Sequence, residues 1–397
     1  MSWEKVKLEE AIKKPISGEW GEEGNSVYVL RTTNFSNDGS LYLDDVVKRN
    51  IPQDKIEKKK LKYGDTILEK SGGSPSQPVG RVVYFDIEKK NGTPYLCNNF
   101  TSVIRPKDNF NSKYLFWFLF YNHIAKKTLG YQNKTTGIIN LQTDRYIKEL
   151  EIPNPPLLTQ QKIAAILDKA DELRKKDLQL LAKYEELLQS IFYDMFGDPV
   201  KNEKGWKKKK IGEVLDVETG STPSRNSPDY YKGNIPWIKT GEVIGEEIIS
   251  SEEKISEEAI KNSNCKILPI NTILLAMYGQ GLTRGRVGLL KLRATTNQAC
   301  AAILPSENIS PLFTFYLLKS LYFQIRDLGR GGNQPNLNLS IVRDIELIIP
   351  PPYIQKKFGL IAQNIQNQKQ QIKRQITKSE DIFQNLLQRV FKGELIK

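Results

Sequence analysis

The sequence predicts an α+β chain that is built twice. Two tandem α+β domains are separated by two long helices, which pair as an antiparallel coiled coil and relate the halves by a pseudo-two-fold axis. Three observations predict this. One order of motifs recurs about 200 residues apart. The first 150 or so residues of each half mix short β-branched runs with turn signals. Each half then closes on a proline pair, followed by apolar residues stepping by three and four. A chain of 397 residues and 45.4 kDa is long enough for two or three separate cores.

The repeat can be followed element by element. Trp3 with KVKLEEAI matches Trp206 with KKKKIGEVL, and VLRTTNF (29–35) matches WIKTGEV (237–243). The stretch from 61 to 85, with its DTILEK and GRVVYF runs, matches 265–290, with NTILLAM and GRVGLL. NNFTSVIRP (98–106) falls against NQACAAILP (297–305). An aromatic helix follows in each half, KYLFWFLFY (113–121) and PLFTFYLLKSLYF (311–323). Helically spaced aromatics that are apolar on nearly every side are expected in the core, not as stacking platforms. A loop rich in glycine and asparagine comes next, at 130–142 and 329–340, and then LEIPNPP (150–156) and LIIPPP (347–352). The resulting boundaries are 1–154 for the first domain, 155–198 for the first long helix, 199–349 for the second domain and 350–397 for the second long helix.

In the first helix, Thr159 is the expected N-cap behind Pro155 and Pro156, and the end falls near Phe196, before Gly197. Ile163, Ile166, Ala170, Leu173, Asp177, Leu180, Tyr184, Leu187 and Ile191 form a heptad seam. Phe358, Ile361, Ile365, Gln368, Ile372, Gln375, Ser379, Ile382 and Leu386 repeat it in the second helix. A stripe of two residues in seven cannot be buried alone, so the other helix is the simplest partner, and Asp177, Gln368, Gln375 and Ser379 are expected to set register. The apolar positions offered for partner binding are Ile163, Ile166, Leu173, Leu180, Leu187, Ile361, Ile365, Ile372, Ile382 and Leu386. A helix of 35 to 40 residues would be about 50–60 Å long.

Composition excludes several function classes. The longest strongly apolar run, Tyr114 to Tyr121, is far shorter than the ~20 residues of a membrane span. MSWEKVKLEE has no signal core, so a cytoplasmic protein is expected. Three scattered cysteines and the lone His123 leave no zinc site or disulfide framework. The net charge of +13 favours a polyanion, nucleic acid first, and the excess is spread over both globular parts and the last helix. Asn154-Pro155-Pro156-Leu157 lacks the aromatic of an amino-methyltransferase motif. Asp229, Glu252 and Lys254 fit a metal nuclease only loosely, within a highly charged stretch. No dinucleotide fingerprint or phosphate loop is present.

What remains is binding. SGGSPSQPVGR (71–81) and YGQGLTRGRVG (278–288) occupy the same place in each half, as do GYQNKTTG (130–137) and GRGGNQPNLN (329–338). Glycine allows close backbone approach, while Asn, Gln and Arg side chains make two-point contacts to adenine and guanine edges. The candidate DNA-binding residues are Ser74, Gln77, Arg81, Asn133, Lys134 and Thr135 in the first half. In the second they are Gln280, Thr283, Arg284, Arg286, Arg330, Asn333, Gln334 and Asn336. Arg31 and Lys239, at matched strand ends, are expected to contact phosphates. The loops differ between the halves, as suits two readers of two sequences.

The whole chain resembles the specificity subunit of type I restriction-modification systems. The resemblance is carried by PPLLTQQKIAAILDKADELRKK (155–176), MFGDPVKNEKGWKKKKIGEV (195–214) and the GRVG-type loops. It implies two target-recognition domains, each reading half of a bipartite asymmetric site in double-stranded DNA, with the helices as a ruler between them. It further implies two modification (methyltransferase) subunits docked on the helices, and restriction subunits. S-adenosylmethionine, ATP and Mg would sit on those partners, leaving this chain without cofactor or catalysis. A metal-dependent DNA nuclease and a coiled-coil protein scaffold are the alternatives. The second long helix departs from the family pattern in its glutamine-rich, more polar seam.

Overall fold

A computed structural model describes residues 3–74, 77–87, 92–135, 138–279, 281–330, 336–392 and 394. The chain forms two compact units, Met1–Leu178 with Arg374–Lys397, and Gln179–Lys373. Each unit therefore contains part of both long helices, Leu157–Phe196 and Pro352–Lys392.

The first unit ties its beginning to its end by pairing Lys5–Lys7 with Glu151–Pro153. Its four-stranded antiparallel sheet has the order Ile16–Ser17, Thr101–Ile104, Asp65–Glu69, Val82–Phe85. A second sheet sets Glu22–Leu30 between Val47–Asn50 and the parallel strand Tyr95–Cys97. The second unit repeats this plan. Lys207–Lys210 pairs with Glu346–Ile349. A five-stranded sheet has the order Val217–Thr219, Cys300–Ile303, Ile273–Ala276, Val287–Leu290, Glu247–Ile248. The first four strands repeat the order of the first unit, and Glu247–Ile248 is added in parallel at the edge.

The aromatic helix Ser112–Ile124 is capped by Asn111, whose side chain accepts from the Tyr114 N–H at 2.9 Å. Every residue from Tyr114 to Tyr121 is buried, as expected for core. In the second unit the matching run breaks. Pro311–Ser320 is helical, Leu321 interrupts, and Tyr322–Asp327 starts again, leaving Phe323 72% exposed. The expectation that 313–323 is all core fails at this break.

A buried glutamine fastens each long helix to its unit. Gln160 accepts from the Asn111 N–H at 2.9 Å and donates to the Pro155 carbonyl at 2.9 Å. Gln355 accepts from Ser310 N–H at 3.1 Å and donates to the Pro350 carbonyl at 2.7 Å. Helix one begins at Leu157, so Thr159 lies inside the first turn and is not the cap. Its end at Phe196, before Gly197 at φ +77°, is where the sequence put it.

Within each unit the two helices run antiparallel. In the first, Asp177 accepts from Gln375 at 2.8 Å and from Ser379 at 3.0 Å, and Arg174 reaches Glu380 at 3.1 Å. Farther along, Phe383, Leu387, Val390 and Phe391 enter the core beside Trp117 and Tyr114. In the second, Glu185 pairs with Lys369, and Phe358 packs on Phe192 and Phe196 at 5.5 and 5.4 Å. The heptad phase, however, differs from the predicted seam. Ile166, Leu173, Leu180, Leu187 and Ile382 are exposed and Ile361 is half-buried, whereas Ile163, Ile365 and Ile372 are buried and Leu386 packs on the core. The buried row runs instead through Leu167, Asp171, Arg174 and Leu188, and through Ala362, Lys369 and Phe383. In each unit the two helix segments pack against that unit's globular part as well as against each other, and polar residues joined by ion pairs lie on the buried face. Of the polar seam residues, Gln368 is exposed and sets no register.

Candidate nucleic-acid interface

In the first unit the strand Asp65–Glu69 leads through Lys70 into a three-stranded sheet, in which Ile138–Leu141 lies between Gln132–Thr135 and Ser71–Gly73. Ser74 and Gln77 close a tight turn, with Ser74 N–H donating to the Gln77 carbonyl at 2.9 Å and Gln77 N–H to that of Ser74 at 3.1 Å. The Gln77 side chain is exposed. Gly80, at φ +105°, packs so close that a Cβ would lie 2.8 Å from the Thr128 side chain. Gln132 donates to the Val79 carbonyl at 3.0 Å, so the two loops singled out in the sequence meet. Asn133, exposed, and Lys134 and Thr135 lie on the hairpin strand, opposite Asn140, Ile139 and Ile138.

Arg81 does not belong with them. It is 9% exposed, its Nε and Nη2 lie 2.8 and 2.7 Å from the two Glu69 oxygens, and its remaining donors reach the carbonyls of Phe35 and Thr32. This guanidinium shapes the loop from beneath and offers nothing to a base. Arg31 is likewise engaged, with Asp45 at 2.7 Å. Lys239 is held by Glu252 at 2.7 Å and Glu253 at 3.1 Å; those carboxylates, Glu252 first, push its ammonium above the usual lysine range. Both residues begin short 3-10 turns, and a phosphate at either would have to displace a carboxylate. Asp229 is bound to Lys232 at 2.8 Å. Among the described residues no group of three side chains could hold a metal ion.

Sequence reasoning missed Lys70 and Phe100. Lys70 donates to Ser17 Oγ at 2.7 Å, and among the described residues no carboxylate pairs with it. Burial, then the nearby Lys59 charge, hold it below the ordinary lysine value. Its backbone N–H donates to the carbonyl of Phe100, a ring 44% exposed. Gly72 lies beside this ring, where a Cβ would be 3.9 Å from it.

In the second unit the loop 278–286 turns at Gly279, Gly281 and Gly285, with φ of +140°, +61° and +86°. Thr283 accepts from the Arg286 N–H at 3.1 Å. Arg284, a candidate reader in the sequence, is buried like Arg81, only 8% exposed, and Gly329 lies against it: a Cβ there would be 3.5 Å from its Nε, which has no hydrogen-bond partner among the described residues. Leu337 N–H donates to the Met277 carbonyl at 3.1 Å, so the second pair of loops also meets. Asn336 is exposed, and Arg330 closes the turn Leu328–Arg330. Gln280, Asn333 and Gln334 lie outside the described residues. The structure adds Arg326, whose Nη1 donates to Tyr322 Oη at 3.1 Å, while Tyr322 donates to the Leu282 carbonyl at 2.7 Å. No ion pair among the described residues joins Arg284, Arg286 or Arg326 to a carboxylate. Arg326 was hidden because 311–323 read as one core helix; the break at Leu321 brings the next turn to the loop.

A fold repeated twice, with polar, cation-bearing loops at matched places, defines a nucleic-acid-reading class of protein. The model of the type I restriction modification DNA specificity domain matches residues 2–183 and again 203–379, and the chain belongs to that family. It is 29% identical over 336 residues to the type I restriction enzyme MjaIX specificity subunit of Methanocaldococcus jannaschii, covering 80% of this chain and 76% of that one. It is 28% identical over 212 residues to the EcoR124I/EcoR124II specificity subunit of Escherichia coli, about half of each chain. The crystal structure of the S subunit from M. genitalium shares the fold, with a TM-score of 0.63 at 17% identity over 98% of this chain and 96% of that one. Among the described residues no helix is long and apolar enough to cross a membrane.

Proposed function

We propose that the chain is the DNA-reading subunit of a type I restriction-modification complex, with each unit reading one half of a bipartite, asymmetric site in duplex DNA. The observation that carries this is a frame shared by the two units, bearing loops that differ between them. The Gln160 and Gln355 clasps and the strand order repeat, while the exposed loop residues differ: Gln77 and the neighbouring strand residue Asn133 in the first unit, Leu282 and Asn336 in the second. Side chains at such tips supply direct readout, and the cations around them supply phosphate affinity. Two modification subunits dock on the long helices, where Ile166, Leu173, Leu180 and Leu187 form an exposed row on the first. Restriction subunits join them. S-adenosylmethionine, ATP and Mg belong to these partners, and the chain acts without catalysis of its own.

The test is to sequence the methylated sites made by the reconstituted complex. They should be two short fixed sequences around an unread gap. Four residues inserted after Lys176 add about 6 Å of helix. With base pairs 3.4 Å apart, the gap should lengthen by one or two base pairs while both half-sites keep their sequences. An active variant with an unchanged gap removes the helices as the measuring element.

A further inference from the structure

We propose that Leu282 is an apolar wedge: when the second unit lies on duplex DNA, its side chain enters a base step of the half-site and partly unstacks it. The inference rests on the recognition role proposed above. Leu282 is 63% exposed at the tip of the loop, directly after Gly281. A leucine placed so gains nothing from the unit's own core. It is nevertheless held in place. Its carbonyl accepts from Tyr322 Oη at 2.7 Å, and Tyr322 is held in turn by Arg326 at 3.1 Å. A Cβ at Gly285 would lie 3.4 Å from Arg326 Cβ and from the Tyr322 carbonyl, so the loop sits directly on this turn.

The occupant is set by what surrounds the tip. Arg284 and Arg286 follow it on the loop and Arg326 lies behind it, none of them paired with a carboxylate among the described residues. Arg284 is buried, so the cations at the surface are the half-buried Arg286 and Arg326, and cations beside an exposed apolar group favour a polyanion with an apolar interior, which is what a stacked duplex offers. Protein wedges that enter base steps are commonly Phe, Leu, Ile or Met, and the unstacking they cause is offset by added backbone contacts. Counting from the matched glycines Gly80 and Gly285, the first unit carries Gln77 where the second carries Leu282. One unit thus meets DNA at this place with a hydrogen-bonding amide, and the other with a group that can only deform or exclude. Sequence preference at this point of the second half-site comes from how easily the step unstacks.

The experiment uses the chain with its modification subunits and duplexes taken from its own methylated sites. Leu282→Ala should weaken binding by about tenfold, the net of the backbone contacts that the opened step allows over the cost of opening it, and Leu282→Met should retain most of the affinity. An abasic nucleotide placed stepwise through the second half-site should restore Leu282→Ala binding at one position, because the step is then already open. An equal loss on every abasic duplex overturns the wedge, and so does unchanged affinity. Loss of modification subunits from the Leu282→Ala complex also overturns it, since the tip would then be a protein contact. Failure of the unaltered complex to prefer its methylated sites would instead remove the recognition role itself.

Discussion

Arg81 and Glu69 form a buried two-point ion pair, with both nitrogen–oxygen distances below 3 Å and side-chain exposures of 11% and 3%. Removing one partner strands a charge in the core of the first unit. Arg81→Ala should therefore cost about 3–5 kcal/mol of stability, read by chemical denaturation, and any loss of DNA binding should follow unfolding. The double change Glu69→Leu with Arg81→Met should recover much of the loss. A fully stable Arg81→Ala protein with altered base preference would return Arg81 to the reading surface.

His123, the only histidine in the chain, offers an isolated pH probe. Burial, then the nearby Arg81 charge, lowers its pKa from 6.5 to about 4. The folded unit keeps the ring neutral, while the unfolded chain takes up a proton below 6.5. Stability should thus be full above pH 6.5 and fall as the pH drops toward 4, a slope that His123→Gln should remove. The imidazole proton resonances should titrate near 4; a midpoint near 6.5 would mean that the ring is open to water.

Arg326 should behave as a phosphate ligand. Arg326→Ala should weaken binding of the complex evenly across sequences and reduce the slope of log affinity against log salt by about one. Arg286→Ala, on the half-buried arginine of the same loop, should relax preference within the second half-site alone, by about 1–3 kcal/mol per lost base contact. Loss of preference in both halves together would contradict independent reading.

The exposed row on the first long helix separates folding from assembly. Leu180→Gln should change stability by less than about 0.5 kcal/mol, as surface substitutions do, yet reduce recovery of the modification subunit in a pull-down. Leu188→Ala, one position from that row and fully buried, should cost about 2–5 kcal/mol. Equal destabilisation by both would place Leu180 inside the fold.

The repeat, the long helices and the loop positions were legible because they rest on spacing and on glycine and proline chemistry. The heptad phase was not. Apolar residues at Ile166, Leu173, Leu180 and Leu187 advertise a seam, while the buried row holds Asp171 with Arg174 and Lys369, and these two cations are paired across some 200 residues of sequence with Glu380 and Glu185. Arg81 was misread for the same reason: nothing local marks Glu69 as its partner. Lys70 and Arg326 were missed because their importance lies in what they do not pair with, which only the folded chain reveals.

The core of the first unit includes Phe383, Leu387, Val390 and Phe391, which leave the ribosome only after the whole of residues 179–373. At ordinary synthesis speeds the nascent first unit waits roughly 10–40 s for these side chains. During that interval Tyr114, Trp117 and Phe118 lack their covering rings. A frameshift or stop codon late in the reading frame would therefore injure the half of the protein encoded first.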